Sequence, residues 1–330
     1  MMRYLLHLGF ILAVVGAAWF IFYALTDIKP DRLPLQFNLK QGSGLRGTIH
    51  QMQKAGVIDS PFCFELLARL RGDTGRIQAG NYEITSPLSP YELLGKITSG
   101  DRAFEHITLV DGWTFAQTRA ALDALPTIKH DSVGLDESEI LRRLAIDYPS
   151  AEGLFFPDTY FYAVGTSDLA LLKRAYQQQQ LQLAALWNTR ATGLPLENPY
   201  QALILASIIE KETGQSGERP LIAAVFINRL RQGIMLQTDP TVIYGLGTKF
   251  DGNLHKIDLL TDGPYNTYTR VGLPPTPIAL PGLASLKAAL NPAPSPVLYF
   301  VSRGNGTSQF SETLADQERA VTKYQKHGKH

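Results

Sequence analysis

The chain of 330 residues contains one cysteine, Cys63. A lone thiol excludes an intramolecular disulfide framework and any cysteine-built zinc site. The seven histidines form no HExxH pair, and His327 and His330 fall in a basic tail. No metal and no cofactor is therefore expected. Charge of either sign is also missing as a signal, because the formal net charge is +1. That excludes the broad basic field that draws a protein to nucleic acid, and the acidic tail of a solvating region. Internal repeats and low-complexity blocks are absent as well. What remains is a chain of ordinary globular hydrophobicity. It is too long for one simple core, so two or three soluble units are expected.

The strongest local signal is at the amino terminus, where residues 4–25 read YLLHLGFILAVVGAAWFIFYAL. About 20 apolar residues cross a bilayer. His7 is the only strongly polar interruption. Tyr4, Trp19 and Tyr23 sit where interfacial aromatics belong, and Arg3 precedes the span, which keeps the short tail in the cytoplasm. A cleaved signal peptide is the alternative. It would have an apolar run of about 7–15 residues followed by a small-residue cleavage site. The run here is longer, and TDIKPD follows it. The expectation is a single transmembrane anchor over 1–25, a juxtamembrane linker over 26–36, and everything beyond outside the cytoplasm.

A small unit over 37–100 follows. Leu45, Ile49 and Met52 recur at helical spacing, with Gly56 as a left-handed cap. A second helix fits Pro61 to Leu70, and IQAGNYEI reads as a strand. Ser89, Pro90 and Glu92 form a capping box at the start of another helix. The pattern is strand–helix–helix–strand. Residues 101–150 link this unit to the rest, with a strand in FEHITLV and a helix from Phe115 to Leu125 behind the Thr114/Gln117 capping box. The charged stretch 126–150 reads as peripheral. Residues 151–330 read as largely helical, with helices at 169–187, 200–213 and 220–231. Long loops rich in Gly, Pro, Asn, Thr and Tyr lie between and after them. Such loops in a compact domain are often functional. The fold class is α+β: one transmembrane helix, a small α/β unit, and a mainly helical domain with long polar loops.

LILASIIEKETG, residues 203–214, is an apolar helix ending in two carboxylates, Glu210 and Glu212. Residues two apart on a helix point about 200° apart, so only one of them can face a given cleft. Glu212 continues the stripe of Leu203, Ile204, Ser207 and Ile208; Glu210 lies nearer its edge and would face solvent or a partner. A carboxyl on a partly buried face holds its proton to higher pH, as a general acid must near neutrality. On its own this pair is more simply a solvated helix end.

The wider context points elsewhere. The span from Ala206 to Gly247, ASIIEKETGQSGERPLIAAVFINRLRQGIMLQTDPTVIYGLG, resembles the endolytic murein transglycosylase (YceG-like) family. So do EGLFFPDTY at 152–160, YNTYTRVGLPPTPIALPG at 265–282, LYFV at 298–301 and FSETLADQ from 310. The resemblance covers nearly the whole chain, and QSGERP is its least familiar part. It implies a lyase that cleaves the MurNAc–GlcNAc bond in nascent peptidoglycan strands and leaves 1,6-anhydro-MurNAc ends. It also implies a catalytic domain over 151–330, a LysM-like identity for 37–100, and Glu212 as the essential acid. Glu212-Thr213 is similar to the Glu-Ser pair at the catalytic helix end of other lytic transglycosylases, which makes Glu210 and Thr213 secondary candidates.

Substrate contacts are expected from the loop of Gln237, Thr238 and Asp239, Gln237 and Asp239 foremost, and from Tyr265, Asn266, Thr267 and Tyr268. Asp239 is equally a helix N-cap ahead of Pro240, and the tyrosines are equally packing residues of a turn. Asn266 reads more as a substrate contact. Asn228 and Arg229 read as ties between helices, and Glu152 and Asp158 as parts of a turn more than as lining of the cleft. The expected partners are peptidoglycan glycan strands, the bacterial inner membrane through the single span, and cell-wall synthases; no nucleic acid is expected. The soluble units belong in the periplasm. Two alternatives stay open: a non-catalytic glycan-binding scaffold for cell-wall synthases, and a hydrolase using Glu212 and Asp239 with water.

Overall fold

The computed structural model describes residues 2–28, 33–40, 42–100, 104–212, 215 and 217–326. Thr213, His327, His330 and the side chains of Arg3 and Tyr4 lie outside the described residues. The described chain is helix-rich with small sheets, and it divides into two compact units. One comprises 1–106 with 161–166, the other 107–160 with 167–330.

The first unit opens with α1, Met2–Leu25. Its stretch Leu6–Leu25 is long and apolar enough to cross a membrane, and most of its side chains are exposed. Strand β1 (Leu35–Leu39), helices α2 (Leu45–Lys54) and α3 (Pro61–Leu70), and strand β2 (Gly80–Ile84) follow, then α4 (Pro90–Ser99). This is the expected strand–helix–helix–strand order. β1 and β2 pair antiparallel, Leu35 opposite Ile84 and Leu39 opposite Gly80. The buried faces of both strands and all three helices share one core of Phe37, Ile49, Met52, Phe64, Tyr82, Leu93 and Ile97. Local chemistry sets the ends. The backbone turns left-handed at Gly56, φ +72°, after α2. The Ser89 hydroxyl accepts from Glu92 N–H while Glu92 accepts from Ser89 N–H, closing the capping box of α4.

Strand β3 (Phe104–Thr108) pairs with β4 (Thr159–Ala163); between them lie α5 (Phe115–Asp123) and α6 (Glu137–Leu144). The Thr114/Gln117 capping box of α5 forms as expected. The charged stretch 126–150 is largely exposed, as expected, but it contains a helix, α6, that the sequence reading did not place. The Asp136 carboxylate accepts from Glu139 N–H at 2.8 Å and starts the helix, which buries Ile140, Leu141 and Leu144. Glu137, Glu139, Arg142 and Arg143 on its other face hid so short an apolar stripe.

The second unit continues with α7 (Asp168–Asn188), α8 (Pro199–Glu212), α9 (Arg219–Gln232), α10 (Asp239–Leu246), the short α11 (Lys256–Leu260) and α12 (Leu283–Leu290). It closes with β5 (Tyr299–Ser302), β6 (Ser308–Ser311) and α13 (Leu314–Val321). Helix α8 is the axis of this unit: every residue from Ala202 to Ile209 is buried, against α12, α9, α7 and α10. The expectation of one buried stripe is therefore corrected to a helix buried all round, which fits its nearly continuous apolar sequence.

Candidate active site

Glu212 closes the last turn of α8, where the buried helix reaches a polar loop cluster. Its Oε1 accepts a hydrogen bond from the hydroxyl of Thr238, itself buried at the start of α10. Burial pushes the Glu212 carboxyl up from 4.5 to about 7. The Thr238 bond and the nearby Arg229 guanidinium work downward, and the Asp239 carboxylate works upward. Desolvation dominates because the neutral form loses least on leaving water. The carboxyl is thus poised to hold and release a proton near neutral pH.

Thr238 is held from behind. Its N–H donates to Thr267 Oγ1 at 3.1 Å, and the Thr267 hydroxyl also meets Thr241 Oγ1 at 2.9 Å. Gln237 N–H donates to Thr267 O at 3.0 Å, with Gln237 at φ +51°. That left-handed residue turns the chain so that Thr238 points at Glu212. Thr238, rather than Asp239, is the N-cap of α10. The Asp239 carboxylate instead accepts from the Tyr268 hydroxyl. Gln237 and Asp239 are both exposed at this rim.

Four of the expected contacts, Tyr265, Asn266, Thr267 and Tyr268, do share one loop beside α10, but they differ in what their side chains do. Asn266 is buried. Its amide donates to the carbonyls of Asp258, Leu259 and Thr261, and its Oδ1 accepts from Tyr268 N–H at 2.9 Å. Every group of that side chain is committed to the loop, which matches a packed turn and not the substrate contact that the sequence favoured. Thr267 is likewise buried behind Thr238. Tyr265 and Tyr268 keep partial exposure. Tyr265 donates to or accepts from Thr276 Oγ1 at 2.8 Å, and lines a groove of about 720 Å³ together with Tyr148, Pro149 and Thr276.

Glu210 takes a different path. One oxygen pairs with Arg219 at 3.0 Å and the other accepts from Gly282 N–H at 2.9 Å, with both side chains largely buried. The expectation that Glu210 faces solvent or a partner is met only as an internal partner: it ties α8 to α9 and to the 277–282 segment. Gly282 is required by closeness, since a Cβ there would lie 2.7 Å from the Asp111 carboxylate.

Arg229 and Asn228 act as the ties the sequence suggested. Asn228 donates to the carbonyls of Ser295 and Val297, Arg229 to those of Leu298, Met235 and Leu236. Arg229 also places a buried cation near Glu212. Glu152 is a second buried carboxyl, pushed up to about 7 by desolvation, accepting from Phe115 N–H and the Tyr244 hydroxyl. Thr238 was expected only as one of the polar residues of its loop, not as the partner of Glu212, and Glu152 was expected to belong to a turn rather than to the cleft. An isolated threonine or a glutamate in a turn carries no spacing signal; only the fold shows where each points. Among the described residues, Asp123, His130 and Asp168 come close enough to be weighed as metal ligands. The Asp168 oxygens already accept the N–H groups of Asp131, Ser132 and Leu169 and the Ser132 hydroxyl, as a turn clasp does.

Comparison with known proteins gives one consistent result. The model of the YceG-like family matches residues 37–323. The endolytic murein transglycosylase of Bacillus subtilis (strain 168) is 31% identical over 313 residues, covering 90% of this chain and 86% of the relative. The enzyme of the same name from Streptococcus pneumoniae is 26% identical across 95% of this chain, which spans only 63% of that longer relative. The 2.6 Å crystal structure of a YceG-like protein from Listeria monocytogenes matches with a TM-score of 0.53 at 28% identity, covering 86% of this chain and 97% of that one.

Proposed function

This chain belongs to the YceG-like family, and on that premise we propose that it is an endolytic murein transglycosylase, a lyase of peptidoglycan strands, with Glu212 as its acid and base. The observation that carries the choice of residue is the contrast at the end of α8. Glu210 is bound on both oxygens by Arg219 and Gly282. Glu212 has one oxygen fixed by Thr238 and a carboxyl that keeps its proton to about pH 7.

The chemistry needs one such group. The protonated Glu212 gives its proton to the glycosidic oxygen as the bond to C1 of MurNAc breaks, through an oxocarbenium-like state. The resulting carboxylate then takes the proton of the same sugar's C6 hydroxyl while O6 bonds to C1. No water is consumed, the carboxyl returns to its starting form, and the strand gains a 1,6-anhydro-MurNAc end. The attacking hydroxyl belongs to the substrate, so holding the ring in place supplies much of the effect. Tyr265 and Tyr268 offer partly exposed rings and hydroxyls for that, with Gln237 and Asp239 at the rim. Asn266 and Thr267 shape the loop that presents them.

Around this centre, α1 supports a single membrane anchor that keeps the soluble units at the inner membrane, facing the periplasm and nascent strands. The strand–helix–helix–strand unit at 37–100 supports a LysM-like module. Its cleft between the loop after β1 and the loop before β2, lined by Leu39, Ser43, Ile77 and Gln78, is the place for it to meet glycan. Cell-wall synthases are the fitting partners for such an anchored enzyme. Product mass after incubation with glycan strands tests the reading. Anhydro ends are expected; reducing ends would point to a hydrolase, and intact strands to a scaffold.

A further inference from the structure

We propose that helix α3 of the small unit lies on the outer surface of the same bilayer that α1 crosses, with Phe62, Leu66 and Leu70 entering its headgroup region. The proposal rests on the anchor reading of α1.

The length of α1 sets the level. Its apolar stretch, Leu6–Leu25, has 20 residues, which at about 1.5 Å per residue is about the 30 Å of hydrocarbon to be crossed. None of it is spare. Yet its last turns already pack on the small unit: Ala24 is 6% exposed and Phe20 lies against the same core, while Ile21, Phe22 and Leu25 stay open at 57–67%. One side of the helix end is therefore in protein and the other in lipid, at the same depth. The Tyr23 hydroxyl donates to Ser60 O at 3.3 Å, and Ser60 is the N-cap of α3. Helix α3 thus begins beside a residue two positions from the end of the span.

The exposed side of α3 suits that position. Phe62 is 76% exposed and Leu70 68%, with Leu66 partly covered between them. Four-residue steps advance about 40° around a helix, so the three form one stripe. The opposite face, Cys63, Phe64, Leu67 and Ala68, fills the core. A helix with one face in its own core and a second apolar stripe left open beside a span fits an interfacial element.

Single-tryptophan forms reconstituted in phosphatidylethanolamine–phosphatidylglycerol vesicles test this. With Trp113→Phe and Trp187→Phe, Trp19 reports on the span; adding Trp19→Phe and Phe62→Trp, or Leu70→Trp should the first disturb folding, reports on α3. A nitroxide near the lipid headgroup should quench both reporters, and a nitroxide deep in the chains should quench the α3 reporter much less. A quenched Trp19 with an unquenched α3 reporter overturns the proposal and leaves the anchor standing. If that unquenched reporter has blue-shifted emission, a second copy of this chain covers the stripe instead. An unquenched Trp19 removes the anchor and the proposal together.

Discussion

Replacing Glu212 by glutamine should abolish anhydro product and, above neutral pH, make the protein more stable. In the folded chain the Glu212 carboxyl holds its proton up to about pH 7 against an ordinary 4.5. Between those values the folded state carries a proton that the unfolded chain has already released. Stability contributed by this group is therefore lost as pH rises through that window, and the full penalty is present above about 7. The rise from 4.5 to about 7 corresponds to on the order of 3 kcal/mol. Glutamine keeps the shape and can still accept from Thr238, but it never ionises. Glu212→Gln should thus gain up to that amount at pH 8 and little at pH 5, by urea unfolding at the two pH values. Glu152 shows a rise of the same sign, so the informative quantity is the difference between parent and variant. Loss of activity should be at least about 10²–10⁴-fold, the usual weight of a general acid–base group. A variant no more stable than the parent at pH 8 would mean that Glu212 is already well solvated when ionised. A raised Glu212 pKa would then be refuted even if activity were lost.

Other consequences follow from the same contacts. Thr238→Val removes the bond that steadies the ionised carboxylate, worth about 1.5–3 kcal/mol for a charged acceptor. The fall in kcat/KM above neutrality should move upward by about one to two pH units, and an unmoved profile would limit Thr238 to holding the loop. Glu210→Gln should cost about 1–3 kcal/mol of unfolding free energy, read by denaturant titration, through the weakened Arg219 and Gly282 contacts, while turnover per folded molecule stays far above that of Glu212→Gln. A larger kinetic loss at Glu210 would reverse the assignment. Asn266→Ala should raise KM and speed hydrogen exchange across residues 258–268, because three carbonyls and one N–H lose their partner; unchanged exchange would refute its role as the loop's latch.

Much of this protein was legible along the chain, because its signals are local. The amino-terminal apolar helix is a matter of length and apolarity, and caps such as Ser89/Glu92 and Thr114/Gln117 act within one turn. The long shared motifs located the acidic helix end and the polar loop before any contact was known. The same periodicity failed where a residue's surroundings come from distant elements. Helix α6 hid behind its charges, and α8 is buried on every side although its sequence suggested a single stripe. Helical spacing separated Glu210 from Glu212 but not their fates. Arg219 and Gly282 take Glu210, while Thr238, held by Thr267 from 29 residues on, takes Glu212. Acidity depends on how much water and which charges surround a carboxyl, and those are set by packing. The sequence therefore pointed to Glu212 through the motif it shares with the family, whereas only the tertiary fold supplied the surroundings that set the two carboxyls apart: an ion pair with Arg219 for Glu210, and burial against Thr238 for Glu212.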